Sequence, residues 1–282
     1  MKEASAVTKG TYNTISITAE PFAVVIPAYN EATRIGNVLQ AAIRVPDVAQ
    51  IIVVDDGSHD NTVANVRQWQ RLDNRIHLIT LQQNHGKATA ITTGANHSSC
   101  DIVTFLDADL IGLLPQHIQQ LADPVRRRRS AMTLGVFHKG RRSTDVTHRY
   151  LPFLSGQRCL RWSLFADTFR LRTAGWGLET ALNFHAWYQQ YPVQKVLWAG
   201  VTHAMRPEKQ PGVSGYTSHI AMWWHIGRYV LDFSHQVGLR PMLTRLQNPQ
   251  SATPAGPRSI QNSAAPRPTH KTHPLLNRRP LL

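Results

Sequence analysis

The stretch DIVTFLDADL, residues 101–110, decides the fold class of this chain. Residues 102–106 are almost wholly apolar and favour extended backbone, which predicts a strand buried on both faces. Strands of that kind belong to parallel sheets that helices cover on both sides. Asp107 and Asp109 follow this run. Because residues two apart in an extended chain point the same way, we expect both carboxylates to face one small space.

Two carboxylates at this spacing repel one another, and they persist most easily when a cation or a donor-rich ligand lies between them. The alternative is structural: Asp109 caps the next helix, or both side chains lie in a solvated turn. The pair alone does not decide between a site and a turn.

The sequence on either side of this stretch repeats one pattern. Apolar runs at 22–29, 50–58 and 75–81 predict three further strands, and helical spacing at 30–44, 62–72 and 86–98 places a helix between each pair. Strands that alternate with helices of this length predict a parallel, doubly wound α/β sheet. The pattern continues more weakly with helices at 115–128 and 178–191, strands at 131–137 and 193–200, and an amphipathic helix at 219–238.

In such a sheet, ligands bind beyond the carboxyl ends of the strands. Polar side chains follow four of the predicted strands at that point: Asn30 and Glu31, Asp55 and Asp56, residues 84–87, and Asp107 with Asp109. Four strand ends that all carry polar groups make one shared site the better explanation of the Asp-x-Asp pair.

The composition along the chain predicts how its 282 residues, of which 42% are apolar, divide into segments. We expect a flexible leader at 1–20, a ligand-binding half at 21–112, a second half of the same domain at 113–244, and a disordered basic tail at 245–282. The leader has no apolar signal core, and the two cysteines show neither metal-ligand spacing nor a disulfide framework. Both features predict a cytoplasmic protein.

The net charge of +14 favours anionic partners. The tail contributes six Lys or Arg residues and no acid, and further basic clusters are RRRR at 126–129 and KGRR at 139–142. No nucleic-acid-binding motif accompanies these clusters. We therefore expect a phosphorylated ligand and a peripheral membrane contact and no nucleic acid, although a solvated basic surface without a partner is the simpler alternative.

Four segments together resemble the family 2 glycosyltransferases of the GT-A fold. They are VVIPAYNEATRIGNVL, IIVVDDGSHDNT, NHGKATAITTGA and IVTFLDADL, in the order and spacing of that family, and the resemblance covers about residues 22–112. Residues 153–161, 175–186 and 201–212 are similar to a bacterial subgroup and, more loosely, to glucosyl-3-phosphoglycerate synthases. The resemblance implies a nucleotide-sugar-binding half followed by a C-terminal acceptor-side extension.

The resemblance also implies roles for individual residues in donor binding. Asp109 would ligate Mg²⁺ or Mn²⁺, and Asp107 would contact the ribose or a metal-bound water. Asp56 would accept a hydrogen bond from the base, although alone it could equally be a helix cap. Lys87 would lie near the phosphates. The residues lining the nucleotide pocket would be Pro27, Ala28 and Glu31.

A second set of residues is expected on the acceptor side. Trp176 offers a flat face to a sugar ring, and Gly177 beside it allows close backbone approach. Glu179 would open a helix and bind or deprotonate the acceptor hydroxyl, which makes it a catalytic candidate together with Asp109. A glutamate favoured by the helix dipole is the structural alternative.

Three more residues complete this set. His203 follows an apolar run and, by the resemblance, would be a metal ligand, although a lone histidine is more often structural. Gly156 and Arg158 in SGQR would form part of the acceptor wall, and Arg158 would meet an anionic acceptor. A structural ion pair is the alternative for Arg158.

The sequence thus predicts a metal-dependent enzyme that moves a sugar from a UDP- or GDP-sugar to an acceptor. A polyprenyl phosphate or other lipid is the first expectation for that acceptor, and a small phosphorylated acid such as phosphoglycerate is the second. The stereochemistry of transfer stays open. One alternative is a nucleotidyltransferase, but PAYNEATR is not the Gly-rich loop that such enzymes carry after the first strand. The other is a non-catalytic binding protein, against which the retained Asp56, Lys87, Asp107 and Asp109 argue.

Overall fold

The computed structural model describes residues 20–138, 155–169 and 177–203, in which strands and helices alternate. Its strands are β1 (Phe22–Ala28), β2 (Val48–Asp55), β3 (Ile76–Thr80), β4 (Ile102–Phe105), β5 (Leu110–Ile111), β6 (Met132–His138), β7 (Arg158–Arg161), β8 (Val193–Ala199) and β9 (Thr202–His203). Its helices are α1 (Ile35–Ile43), α2 (Thr62–Leu72), α3 (Lys87–His97), α4 (Pro115–Arg126), α5 (Trp162–Phe169) and α6 (Gly177–Tyr188).

The main sheet has seven strands in the order β3-β2-β1-β4-β7-β6-β8. Within the described ranges, six of these strands are parallel, and β7 runs antiparallel between β4 and β6. β5 and β9 form a separate antiparallel pair. The predicted doubly wound and mostly parallel α/β architecture is confirmed.

Helices cover both faces of the sheet, as buried strands require. Side chains of α1, α2 and α4 pack with β1, β2 and β8 in one apolar cluster. Side chains of α3, α5 and α6 pack with β1, β4, β6 and β7 in another cluster on the opposite face. Residues of β1 pack into both clusters, so this strand is buried on both faces, which explains its uninterrupted hydrophobic run.

Two predicted elements are shorter than the sequence pattern indicates. The first helix begins at Ile35 rather than at residue 30, because Asn30 has a φ of 55° and the carbonyl of Glu31 accepts the N–H groups of Arg34 and Ile35 in a turn. The fourth strand ends at Phe105, where its pairing with β1 and β7 also ends. The expectation that the chain stays extended from Asp107 to Asp109 is wrong, since a turn at residues 108–109 follows the strand.

Several expectations lie outside the described residues. They are the leader up to residue 19, the KGRR cluster at 139–142, Trp176, the amphipathic helix at 219–238 and the basic tail at 245–282. Among the residues that the structure describes, none of the helices is both long enough and apolar enough to span a bilayer.

Candidate functional site

The carboxyl edge of the sheet gathers the polar residues that follow β2 and β4. Asp56 comes directly after β2, and Asp107 and Asp109 follow β4. Lys87 is the first residue of α3. These positions follow from parallel strand order, because the carboxyl ends of neighbouring parallel strands meet at one edge.

Asp107, Asp109 and His203 form a compact cluster at this edge. One ligand atom from each lies within 4.8 Å of the other two. Nδ1 of His203 is 3.3 Å from Asp109 and 3.9 Å from Asp107. The pairing of β5 with β9 places His203 opposite Leu110, next to Asp109 in sequence, and the edge of the His203 ring packs against Phe137 at 4.7 Å between centroids. The predicted convergence of the two carboxylates is therefore present, and His203 joins them.

Lys87 lies between two acids that are far apart in the sequence. Its ammonium nitrogen is 2.7 Å from Asp107 and 3.7 Å from Glu179, and 43% of its side chain is exposed. Desolvation opposes protonation of this amine, but the carboxylates of Asp107 and Glu179 outweigh it, so the pKa of Lys87 is raised. Lys87 is therefore a fixed positive charge beside the cluster, and it links the N-terminal half of the domain, residues 21–112, to Glu179 in α6.

Asp107 is held in place by Gln157, which the sequence analysis overlooked. The Gln157 amide donates to Asp107 Oδ2 at 2.8 Å, and its Oε1 accepts the N–H of Asp107 at 3.0 Å. Burial raises the pKa of Asp107, but Lys87 and then His203 outweigh burial, so its pKa is lowered overall. Asp107 is therefore a carboxylate at neutral pH. Gln157 lies in SGQR between the predicted residues Gly156 and Arg158. Its role could not be predicted locally, because it depends on a contact with Asp107, fifty positions away.

Gly156 and Arg158 flank Gln157 and differ in their surroundings. A Cβ atom on Gly156 would lie 2.6 Å from Nζ of Lys87 and 3.1 Å from the oxygens of Asp107, so only glycine leaves room for this ion pair. Arg158 is 1% exposed and donates to the Ser155 carbonyl and to Asn183. Burial lowers the pKa of Arg158 to about 10, and the charge of Glu179 opposes that shift. Arg158 thus lies beneath the site surface in this structure.

Asp56 supports the turn that leads into α3. It is 3% exposed, and its two carboxylate oxygens accept the N–H groups of His85 and Gly86, each at 2.8 Å. These bonds fix the backbone immediately before Lys87. The arrangement couples the end of β2 to the position of the Lys87 ammonium.

The remaining predicted residues have these positions. Pro27 and Ala28 end β1, beyond the point where β4 stops pairing with it, so the missing N–H of Pro27 leaves no gap in that ladder. Glu31 is buried, its N–H donates to Thr62, and its carboxylate pairs with Arg34 at 3.3 Å. Gly177 begins α6, where Glu179 lies in the first turn.

The chemistry of this cluster fits a divalent cation. Two carboxylates and an imidazole are oxygen and nitrogen donors of the kind that Mg²⁺, Mn²⁺ and related ions accept. Asp107 is ionised and can contribute to such a site. The adjacent ammonium of Lys87 adds a second positive charge, so the edge as a whole suits an anionic ligand such as a diphosphate.

Comparison with known proteins places this fold and its motifs. A sequence model of the family described as Glycosyl transferase family 2 matches residues 23–197. An undecaprenyl-phosphate 4-deoxy-4-formamido-L-arabinose transferase from Edwardsiella ictaluri is 37% identical over 105 residues, 36% of this chain and 32% of that protein. A dolichyl-phosphate β-glucosyltransferase from Trichomonas vaginalis is 35% identical over 94 residues, 30% of this chain and 28% of that protein. The chain thus spans about a third of the length of the curated relatives it matches.

Solved structures with the same fold include glucosyl-3-phosphoglycerate synthase from Mycobacterium tuberculosis. The complex of that enzyme with Mn²⁺, UDP and glucosyl-3-phosphoglycerate is 22% identical, with a TM-score of 0.58, and the match covers 75% of this chain and 79% of the other. A complex with Mg²⁺ and UDP matches with a TM-score of 0.57. At this identity the likeness concerns the fold alone.

Proposed function

This chain belongs to glycosyl transferase family 2, and from that premise we propose that it transfers a sugar from a nucleoside diphosphate sugar to a phosphate-bearing acceptor. The observation that carries the proposal is the convergence of Asp107, Asp109 and His203, whose ligand atoms lie within 4.8 Å of one another. Lys87 lies beside this cluster and contacts both Asp107 and Glu179. A transferase of this kind needs a cation site, a positive charge for the diphosphate and an acid facing the acceptor, and these residues supply all three.

The donor is a UDP-sugar in this proposal, because UDP is bound in the solved structures that share the fold. Pro27, Ala28 and Glu31 line its nucleotide pocket. Asp56 accepts the N–H of the base, since each of its oxygens has used one lone pair on the 85–86 turn and keeps another. The same carboxylate would then hydrogen-bond to the base and hold the turn that positions Lys87.

Asp109 and His203, with Asp107 adjoining them, would hold Mg²⁺ or Mn²⁺. When bound, the cation neutralises negative charge on the departing diphosphate. Lys87 supplies a further positive charge near that leaving group, and Gln157 keeps Asp107 oriented.

Glu179 is the acceptor-side acid in this proposal. Its first-turn position in α6 and its ion pair with Lys87 direct it toward the same edge as the metal cluster. For an acceptor hydroxyl, it accepts the hydrogen bond of the attacking group there and receives its proton. Gly156, Gly177 and Trp176 complete the acceptor wall in this proposal, with Arg158 supporting it from beneath through Asn183.

A polyprenyl phosphate is the acceptor that we propose first. The relatives from Edwardsiella ictaluri and Trichomonas vaginalis are named for undecaprenyl phosphate and dolichyl phosphate. Phosphoglycerate is the second candidate, because a solved structure of the same fold contains it. Both acceptors present a phosphate to a strongly basic protein.

A transfer assay tests the proposal. Labelled UDP-sugars are incubated with Mn²⁺ and either a short-chain polyprenyl phosphate or phosphoglycerate, and label is followed into each product. We expect one acceptor to be glycosylated by the wild type. Where that acceptor is phosphoglycerate, whose hydroxyl must lose a proton, the rate should fall by at least about 100-fold in Glu179→Gln, the usual scale of acid–base catalysis. Release of UDP without transfer to either acceptor would contradict the acceptor class, and no release from any donor would contradict the proposed reaction.

A further inference from the structure

A second basic feature lies away from the metal cluster, in a groove between α4 and the edge strand β8. The groove has a volume of about 650 Å³. Three basic residues line it, Arg127, Arg129 and Lys195, together with one acid, Asp123. The other lining residues are Gln120, Pro124, Gln194, Val196 and Leu197.

The structure separates these arginines from the rest of the RRRR run at 126–129. Arg126 is buried and pairs with Asp47 at 2.9 Å and with Asp123 at 3.2 Å, while Arg128 pairs with Glu20 at 3.1 Å. Two of the four arginines are therefore engaged in ion pairs with acids of the same chain. The one acid of the groove is already committed to a buried arginine.

Arg127, Arg129 and Lys195 have no such role. In the described parts of the chain, no carboxylate lies within ion-pairing distance of any of the three, and all three are exposed. The groove therefore carries an uncompensated positive charge. A surface with this charge complements an anionic partner.

Exposed apolar side chains lie beside Lys195 on the edge strand β8. Leu197 is 63% exposed and Val193 is 42% exposed, and both point to the same face of β8 as Lys195. Basic residues next to exposed aliphatic ones match the interface of an anionic bilayer, where the cations meet headgroups and the aliphatic chains enter the acyl boundary. Single-stranded nucleic acid would call for stacking aromatics, and none of the groove residues is aromatic.

We propose that the α4–β8 groove binds the phosphate headgroups of an anionic membrane and docks the protein on it through the β8 edge. Residue 203 lies six positions after Leu197, so the chain between them spans at most about 20 Å. Docking on this edge therefore keeps His203 near the bilayer surface. The proposal concerns membrane binding alone and holds whichever sugar is transferred.

Vesicle co-sedimentation of the full chain tests this surface. The vesicles are phosphatidylcholine alone or phosphatidylcholine mixed with phosphatidylglycerol. The variant replaces Arg127, Arg129 and Lys195 by Gln. Its matched control replaces Arg44, Arg67 and Arg71 by Gln, so that both proteins lose the same charge. All three are exposed cations that do not line the groove: Arg44 directly follows α1, and Arg67 and Arg71 lie on α2.

We expect the wild type and the control to bind the mixed vesicles and not those of phosphatidylcholine alone. Each basic side chain near an anionic leaflet strengthens binding about fivefold, so the groove variant should bind on the order of 100-fold more weakly. Leu197→Gln should weaken binding at high salt, where the charges are screened.

Equal binding by the groove variant and its control would overturn the proposal, since the charge of the basic tail would then account for the interaction. Loss of binding in both proteins to the same extent would have the same meaning. Binding of RNA that the groove variant alone loses would also overturn it, because the partner would be a nucleic acid. Circular dichroism of both triple variants checks that each remains folded.

Discussion

Replacing Gly156 by alanine tests whether the structure holds Asp107 where a metal ion needs it. The new Cβ atom would lie 2.6 Å from Nζ of Lys87 and 3.1 Å from both oxygens of Asp107, whereas ordinary contacts begin near 3.4 Å. The ammonium must therefore retreat by about 0.8 Å and the carboxylate by about 0.3 Å. The backbone itself tolerates alanine, because residue 156 has no left-handed φ.

These displacements affect metal binding and stability differently. Metal–ligand distances tolerate only about 0.2 Å, so we expect the affinity for Mn²⁺ to fall by about 10–100-fold. The free energy of unfolding should fall by less than about 1 kcal/mol, because the Lys87 side chain is 43% exposed and solvent screens its ion pair with Asp107.

Titration calorimetry with Mn²⁺ measures the first effect, and urea unfolding measures the second. Gly36→Ala is the matched control, because its Cβ atom meets only Trp69, at 3.3 Å, and α1 gains helix propensity from alanine. We expect the control to bind Mn²⁺ as the wild type does. Unchanged Mn²⁺ affinity in Gly156→Ala would refute the reasoning, since the position of Asp107 would then have no effect on the metal site.

Three further substitutions test hydrogen bonds, ion pairs and packing that stabilise the fold. Asp56→Ala should lower the free energy of unfolding by about 3 kcal/mol, because two backbone N–H groups lose a charged acceptor, and Asp56→Asn should lower it by less. Glu20→Gln should lower the free energy of unfolding by less than about 1 kcal/mol, because the ion pairs of Glu20 with Arg128 and Arg161 are partly exposed to solvent. Burial opposes the shift, but Arg128 and Arg161 outweigh it and lower the pKa of Glu20, so this stabilisation is present above the ordinary value of 4.5 and disappears as pH falls through the folded pKa. Gly94→Ala should cost about 1–3 kcal/mol, because its Cβ atom would lie 2.5 Å from Val25 in the sheet.

Urea titrations at several pH values measure all three effects. Equal stability of Asp56→Ala and the wild type would mean that the 85–86 turn does not depend on that carboxylate. A Glu20→Gln difference that grows as the solution becomes acidic would have the wrong sign for these ion pairs. An unchanged midpoint in Gly94→Ala would mean that α3 can move away from the sheet at little cost.

The fold of residues 21–112 was largely predictable from sequence because its signals are local. Apolar runs, helical spacing and polar strand ends lie within segments of about fifteen residues, and helix α2 begins and ends where its pattern predicts. The convergence of Asp107 and Asp109 needed only that both follow the same buried strand. The local pattern could not show where that strand ends, because its end depends on pairing with β1 and β7.

The structure of the described residues after 112 was less predictable, because it depends on contacts between residues that are distant in the sequence. β7 carries two buried arginines, Arg158 and Arg161, in four residues, so its sequence does not have the apolar character of an interior strand. The ion pair between Lys87 and Glu179 joins two different halves of the chain. The link from Asp56 to the turn before Lys87 likewise depends on how the end of β2 meets that turn.

The most direct test of the central claim is a calorimetric titration of UDP into the wild type and Asp109→Ala, with and without Mn²⁺. The site as described predicts that UDP binds the wild type more tightly when Mn²⁺ is present and that Asp109→Ala loses this dependence on the metal. GDP and dTDP serve as comparison nucleotides in the same titration. UDP binding of equal strength in both proteins, or no nucleotide binding with any divalent metal, would contradict the claim that this cluster forms the donor site of a sugar transferase.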